Sequence, residues 1–303
     1  MSMHLTFRQL QVFTAVAKHQ SFTRAAQSLH LSQPAVSMQV RQMEEQVGLP
    51  LFEQLGRQIY LTEAGREMAR YSAAITQQLD EAVQVINDLK GLSGGHIHIS
   101  VATTGAYVAP YLLAAFSTLH PQVTVSMDVA NRETLLHQLA ENEVDVAIMG
   151  RPPAGLSLEA TAFLENPLVI IAAPDHPLAQ VRAITLAAVA AYPFIMRESG
   201  SGTRIAVEQF FEKAGIALHA SIEVSSHEAI KHAVRAGMGL GIASLHTVRE
   251  ELQAGRLAVL DVQGLPIERH WYLVHRQGKR LSAATQVFRD FLLDQEAARL
   301  LPE

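Results

Sequence analysis

The chain has 303 residues, too many for one ordinary hydrophobic core, so two or three domains are expected. Hydrophobic residues make up 49% and charged residues 17%, which excludes a disordered chain; cysteine is absent, which excludes a disulfide framework and a thiol nucleophile. The net charge of −5 hides a split, because the first 70 residues hold seven basic against five acidic side chains, a net +2, which leaves −7 on the remainder.

Near the N-terminus two short helices each announce themselves with a cap. Ser21 can accept from an orphan amide at the start of the first, and Ser32 can do so for the second. Pro34 falls in the second helix's first turn, where its missing N–H costs nothing, and His30 and Leu31 are left to make the corner. This spacing predicts a helix-turn-helix. In the second helix, residues 33–47, Val36, Val40, Met43 and Val47 form one buried stripe, leaving Gln33, Ser37 and Met38 exposed, with Arg41 one turn further on. Gln can bond adenine bidentately, Ser can meet either base edge, and a Met thioether can lie against a thymine methyl. Capped amphipathic helices also occur in any small bundle, so the whole string has to carry the reading.

That string, Ser21-x-Thr23-x-Ala25-Ala26-x-x-Leu29-x-x-Ser32-Gln33-Pro34-Ala35-Val36-Ser37, closely resembles the N-terminal domain of LysR-type transcriptional regulators. Phe7-Arg8-Gln9-Leu10 and Phe13 resemble that family's first helix. Glu44-x-x-Val47-Gly48-x-x-Leu51-Phe52 resembles the segment after its reader helix, and Leu61-Thr62-x-Ala64-Gly65 the exit from its wing. One departure is Gln54, where the family usually has Arg, which leaves Arg57 as the wing's basic residue. Leu51-Phe52-Glu53-Gln54-Leu55-Gly56-Arg57 is similar to the branch that controls carbon-fixation operons. The DNA-contact set expected from chemistry and resemblance together is Ser32, Gln33, Pro34, Ser37, Met38, Arg41 and Arg57.

From residue 66 to about 91 the chain lacks internal Gly and Pro, and Met68, Tyr71, Ile75, Leu79, Ala82, Ile86 and Leu89 advance by three or four. A narrow apolar stripe on a helix of about 25 residues predicts a coiled-coil-like seam and a dimer, although packing on its own domain is the competing reading. Leu92-Ser93-Gly94-Gly95 then supplies a break. Beyond it strands and helices alternate: strands are expected at 96–103, 123–129, 144–149, 168–173, 194–196, 221–224, 241–243, 257–262 and 271–275. Helices are expected at 108–120, 132–142, 186–191, 203–214, 227–236 and 283–294. The rhythm predicts two parallel α/β units, the second beginning at Leu168, with a cleft beyond the carboxyl ends of their strands. The expected fold class is therefore α/β with a helical N-terminal module. A winged helix-turn-helix spans 1–65 and a linker helix 66–92. A two-lobed domain spans 93–303, with lobe I about 93–165 and 268–303 and lobe II about 166–267; by resemblance to the LysR family it is an effector-binding domain like a periplasmic binding protein.

Two strand-to-helix junctions suit a small anion. Thr103-Thr104-Gly105-Ala106-Tyr107 offers hydroxyls and free amides, and Arg197-Glu198-Ser199-Gly200-Ser201-Gly202-Thr203-Arg204 adds small residues and two guanidiniums. Ordinary capping would explain either junction alone. Thr103, Thr104, Ser201, Gly202, Thr203 and Arg204 are thus effector candidates, joined by Asn131, Arg151 and His227. The resemblance implies that positions such as Thr104, Asn131 and Thr203 line an effector pocket.

Other motifs fail on spacing. His227 and His232 are five apart, so they do not share the helix face a zinc-protease motif needs, and His96 with His98 lacks an obvious third ligand. Gly237-x-Gly239-x-Gly241 is not a dinucleotide fingerprint, and Gly200-Ser201-Gly202-Thr203 lacks a P-loop lysine. No Gly-x-Ser-x-Gly elbow occurs. No enzyme, metal or cofactor is expected beyond a small anionic effector, and the rival readings are a metabolite-binding or transferase-like α/β protein and an enzyme using the cleft. Without a signal-like head or a bilayer-spanning run, a soluble cytoplasmic protein with no membrane partner is expected. The expected partners are operator DNA, the effector and further copies of the chain, as a dimer through the linker helix and, by resemblance, a tetramer; RNA polymerase is admitted as another.

Overall fold

The structure, a computed structural model, describes residues 4–55, 58–89 and 94–294. The chain divides into two compact units, Met1–Leu92 with Glu141–Glu143, and Ser93–Ala140 with Val144–Glu303.

The first unit contains α1 (Phe7–His19), α2 (Phe22–Ser28), α3 (Gln33–Val47), the antiparallel hairpin β1 (Phe52–Leu55) and β2 (Gln58–Leu61), and α4 (Glu63–Leu89). Thr6 and Gln9 cap α1 reciprocally: the Thr6 hydroxyl accepts from the Gln9 amide at 3.2 Å and Gln9 Oε1 accepts from the Thr6 amide at 2.9 Å. Ser21 and Ser32 accept from the Arg24 and Ala35 amides at 3.3 and 3.4 Å, which bears out both caps. In the corner His30 takes a left-handed φ of 53°, and the Leu31 amide reaches back to the Ala26 carbonyl at 2.9 Å. Val12, Val16, Ala25, Ala26, Val36 and Val40 form the helical core, and Leu10, Phe13, Met43 and Leu51 join it to the base of the hairpin.

Three residues of the sequence signature tie the hairpin down. Glu44 Oε1 accepts from the Leu51 and Phe52 amides at 2.7 and 3.2 Å. Thr62 Oγ1 donates to the Pro50 carbonyl at 2.7 Å and accepts from the Gly65 amide at 3.0 Å. Gly65 lies so close to the Leu51 carbonyl that an added Cβ would stand 2.0 Å from its oxygen. Arg57 lies outside the described residues, as does the end of the predicted linker helix at residues 90–92.

The second unit holds two five-stranded sheets. The first is built by β3 (Gly95–Ala102), α5 (Ala109–Leu119, after a 3₁₀ turn at Gly105–Tyr107), β4 (Val123–Ala130), α6 (Arg132–Ala140), β5 (Val146–Met149) and β6 (Leu158–Glu165). The second follows with β7 (Leu168–Ala172), α7 (Leu186–Ala190), β8 (Phe194–Arg197), α8 (Gly202–Lys213), β9 (Ala220–Val224), α9 (His227–Arg235), β10 (Leu240–Ser244), α10 (Leu245–Gln253) and β11 (Ala258–Val259). The chain then returns to the first sheet through β12 (His270–Arg276) and closes with α11 (Ala283–Leu293). Strand orders are β4-β3-β5-β12-β6 and β11-β7-β10-β8-β9. Ile97, Ile99, Phe116, Trp271 and Phe288 fill one core, and Ile170, Phe194, Phe211 and Ile242 another.

The sheets are mixed rather than parallel, which corrects the expected topology. β3, β4 and β5 run parallel, as do β8, β9 and β10, but β7 pairs antiparallel with β10, and β12 pairs antiparallel with β5 and β6. Leu168 therefore does not begin a second β-α-β unit: the chain crosses from one sheet to the other just before β7 and enters against the direction of its neighbours. The predicted strand 257–262 is a two-residue strand, although the Leu260 amide still bonds the Ile170 carbonyl at 2.9 Å. β6 and α10 were not anticipated. Among the described residues no helix is long and apolar enough to cross a membrane, and no group of three or more His, Cys, Asp or Glu could hold a metal ion.

Because the Gly65 contact is with backbone, Gly65→Ala should destabilise the first unit by about 1–3 kcal/mol, as overpacking does elsewhere. Circular-dichroism melting of the full chain should show an early loss of helical signal. An unshifted melting curve would mean that the hairpin yields freely.

Candidate ligand cavity and recognition helix

The carboxyl ends of β3, β4 and β5 face those of β8 and β9 across a narrow cavity. Open α/β sheets place ligands at this end because loops and helix N-termini gather there. Thr103, Thr104, Asn131, Ser201, Gly202, Thr203 and His227 line it, and the structure thus brings together seven of the nine positions picked from sequence. Thr104, Ser201, Thr203 and His227 are buried.

Capping accounts for only part of this set. Asn131 Oδ1 accepts from the Thr134 amide at 2.9 Å and so serves the start of α6. The hydroxyls of Thr104 and Ser201 make no capping bond to the turns they precede. Two predicted residues stand elsewhere. Arg151 turns its side chain to solvent and contributes its carbonyl to Arg132 Nη2 at 3.0 Å. Arg204 bonds the Arg197 carbonyl at 2.9 Å and is held by Glu208 and Glu223.

The positive charge comes instead from Arg132, Arg197 and Arg269, none of them among the nine effector positions picked from sequence. Arg197 is buried and clasped by Glu198, whose two oxygens lie 2.7 and 2.8 Å from Nε and Nη2. Among the described residues neither Arg132 nor Arg269 has a carboxylate partner. Burial and the neighbouring Arg132 push Arg269 down to about 10, only partly opposed by Tyr272, and burial likewise lowers Arg132. A glycine makes room for Arg269: a Cβ on Gly150 would stand 2.4 Å from its Nη2. Local sequence held no signal for Arg269, which sits in a charged Glu268-Arg269-His270 segment resembling a surface turn.

Beside the cavity a cluster bridges the two sheets' elements. The Tyr107 hydroxyl donates to Glu228 Oε1, and buried Lys231 lies 2.6 Å from Glu228 and 3.0 Å from Glu251. Desolvation, then the Glu228 carboxylate, raises the Tyr107 phenol far above its ordinary range.

In the first unit α3 presents the predicted surface. Gln33, Pro34, Met38 and Arg41 are exposed, Ser37 is half-buried, and Val36, Val40 and Met43 face inward. Gln33 Nε2 donates to Ser37 Oγ at 2.8 Å, so the two proposed base readers are held together, while Arg41 is paired with Glu45 at 3.2 Å in an exposed contact that offers little resistance to exchange.

Residues 7–66 match the bacterial regulatory helix-turn-helix protein of the lysR family, and residues 90–297 match the LysR substrate binding domain. The chain belongs to the LysR family of bacterial transcriptional regulators. Within it the chain is 54% identical over 298 residues to the RuBisCO operon transcriptional regulator of Allochromatium vinosum, covering 98% of each. It is 45% identical over 293 residues to the transcriptional activator CmpR of Synechocystis, covering 97% of this chain and 96% of that protein. The regulatory domain of Synechocystis CcmR, solved in complex with 2-PG, is 41% identical and superimposes with a TM-score of 0.63, covering 66% of this chain and 96% of that one. The resemblance to carbon-fixation regulators therefore extends over almost the whole chain, and the relatives are regulators, not enzymes.

His227 generates a pH prediction. Burial first, then Arg197 and Lys231, push its ring down to about 3 from the ordinary 6.5. Below about pH 6.5 the unfolded chain takes up a proton that the folded ring refuses, so this stabilisation is complete above 6.5 and is lost as pH falls toward 3. His227→Gln should flatten the decline of melting temperature between pH 6.5 and 4; His246 and His176, also lowered by burial, keep a slope of the same sign. An unchanged slope would mean that the ring is not desolvated.

Proposed function

We propose that this regulator reads operator DNA through α3 and answers to a small anionic metabolite held in the interlobe cavity. The observation that carries the effector reading is the pair Arg132 and Arg269, two cations sharing a partly desolvated cavity and neither paired with a carboxylate of the described residues, since Glu198 there is held by Arg197. An anion between them would remove their mutual repulsion and use the hydroxyls of Thr104 and Thr203. The 2-PG complex of the related CcmR domain supports a phosphorylated acid of central metabolism, and the RuBisCO operon relative supports carbon-fixation genes as targets. Thr103, Thr104, Asn131, Arg132, Arg197, Ser201, Gly202, Thr203, His227 and Arg269 form the proposed effector set. Ser32, Gln33, Pro34, Ser37, Met38, Arg41 and Arg57 form the DNA set.

The proposed domains are 1–65 for DNA, 66–92 for pairing and 93–303 for the effector. Along α4, about 40 Å at 1.5 Å per residue, Tyr71, Ile75, Leu79, Val83 and Ile86 are all exposed. Such a stripe suits a second copy of the helix, giving a dimer that associates into a tetramer. With only a modest excess of basic charge in the first 70 residues, tight binding needs several copies on one operator. A cytoplasmic location and contact with RNA polymerase complete the reading.

Gln33→Ala should cost about 1–3 kcal/mol at one base pair and relax specificity there. Equal losses on operator and random DNA in a titration would refute its role.

Thr104→Val with Thr203→Val keeps side-chain bulk and removes both hydroxyls. In a transcription assay with 2-phosphoglycolate the double variant should lose the response and keep operator affinity. A full response at the wild-type ligand concentration would place the effector elsewhere.

A further inference from the structure

Two residues that line the cavity, His227 and Trp271, each hold a buried donor, Nδ1 and Nε1, without an acceptor among the described residues. His227 is 5% and Trp271 1% exposed. The state of the histidine follows from its neighbour. Arg197 Nη1 meets His227 Nε2, and a guanidinium can only donate, so Nε2 presents its lone pair and the ring proton resides on Nδ1. Burial together with Arg197 and Lys231 keeps the ring neutral, so protonation does not undo this tautomer. The indole N–H is a donor under all conditions.

We infer that His227 and Trp271 are a specificity-determining donor pair that reads a carboxylate on the effector, separate from the group held by Arg132 and Arg269. The inference rests on the anion reading of the cavity and adds a second recognised pole to it. Unpaired buried donors destabilise a structure, and native proteins leave few of them. Glu198, the carboxylate that lines the cavity, is turned onto Arg197 by its two short bonds and does not serve either donor. A ligand carboxylate brings several lone pairs and no proton, so it can meet both. A hydroxyl would bring an O–H needing its own acceptor, and a methyl would leave both donors unmet. A site built to bond a polar group rejects an analogue lacking it far more strongly than an apolar pocket rejects a missing methylene. The pair therefore selects a compact phosphorylated carboxylic acid over a simple phosphate monoester.

Calorimetric titration of the full chain with 2-phosphoglycolate and with ethyl phosphate, which replaces the carboxylate by a methyl, tests this. Wild type should prefer 2-phosphoglycolate by about tenfold or more. Trp271→Phe and His227→Phe should each remove about tenfold of affinity for 2-phosphoglycolate and leave ethyl phosphate within about twofold. His227→Asn, whose amide keeps a donor near the Nδ1 position, should retain most of the preference. Equal losses of both ligands in the variants would reduce the two residues to structural roles and overturn the inference. Equal wild-type affinity for the two ligands would overturn it too, while leaving the anion site intact. Binding of neither ligand by wild type would bring down the anion reading itself, and the donor pair with it.

Discussion

Like charge held at close quarters in a partly desolvated cavity is the constraint around which the second unit is arranged. Burial lowers the tendency of both Arg132 and Arg269 to carry charge, Arg132 lowers that of Arg269 further, and neither is relieved by a carboxylate of the described residues. In an ordinary core such a pair would be replaced by apolar side chains at a gain in stability. Here the surroundings accommodate it. Gly150 gives Arg269 Nη2 the space a Cβ would occupy, and the Arg151 carbonyl accepts from Arg132. Local disagreement with folding rules is expected where a protein binds something, and this cavity contains several such disagreements together.

The support for Arg269 comes from the two segments that cross between the sheets. The Asn166 amide donates to the Arg269 carbonyl at 2.7 Å, and Leu168 and Ile267 exchange bonds at 3.0 and 2.9 Å. Asn166, itself buried in the cavity wall, accepts from Ser244 Oγ at 2.6 Å. The guanidinium therefore stands on a paired, hydrogen-bonded crossing rather than on a free loop. Groups that must meet a ligand in fixed geometry benefit from such backing.

The N-terminal unit was legible because its determinants are local. Ser21, Ser32, Pro34 and the stripe Val36–Val40–Met43 all act within a turn or two of their own positions, and the structure uses each as expected. Gly65 was visible as part of a signature, but its reason, the backbone approach to Leu51, belongs to tertiary packing. In the second unit the individual strands were readable from alternation, whereas their directions were not. A strand sequence has no arrow, and the antiparallel entry of β7 results from the crossing that precedes it. β6 escaped because its surface is largely exposed and it is fixed by pairing with β12, more than a hundred residues later. α10 escaped because β10 runs straight into it at Ser244 with no turn residue between. The same distinction divides the site: Thr104, Ser201 and Thr203 sit at junctions that announce themselves, while Arg269 and Trp271 reach the cavity through a long-range return of the chain. The single tryptophan of the sequence was the one composition-level signal available for the latter.

The positions of the proposed contacts would give a small ligand a way to act at a distance. Thr104 is three residues before Tyr107, and His227 immediately precedes Glu228, so the cavity wall and the Tyr107–Glu228 bridge are carried by the same turns. Lys231 adds its charge to that bridge from the next turn of α9, beside Glu251. A ligand that binds every arrangement of the two lobes equally would change nothing, however tightly it bound. One that touches Thr104 from one lobe and His227 from the other binds best where those groups are at a fixed separation, and the bridge beside them is made or broken at a separation of its own. If the effector binds as proposed, the proximity of the two sets of contacts would allow a gain of a few hydrogen bonds to favour one lobe arrangement over another.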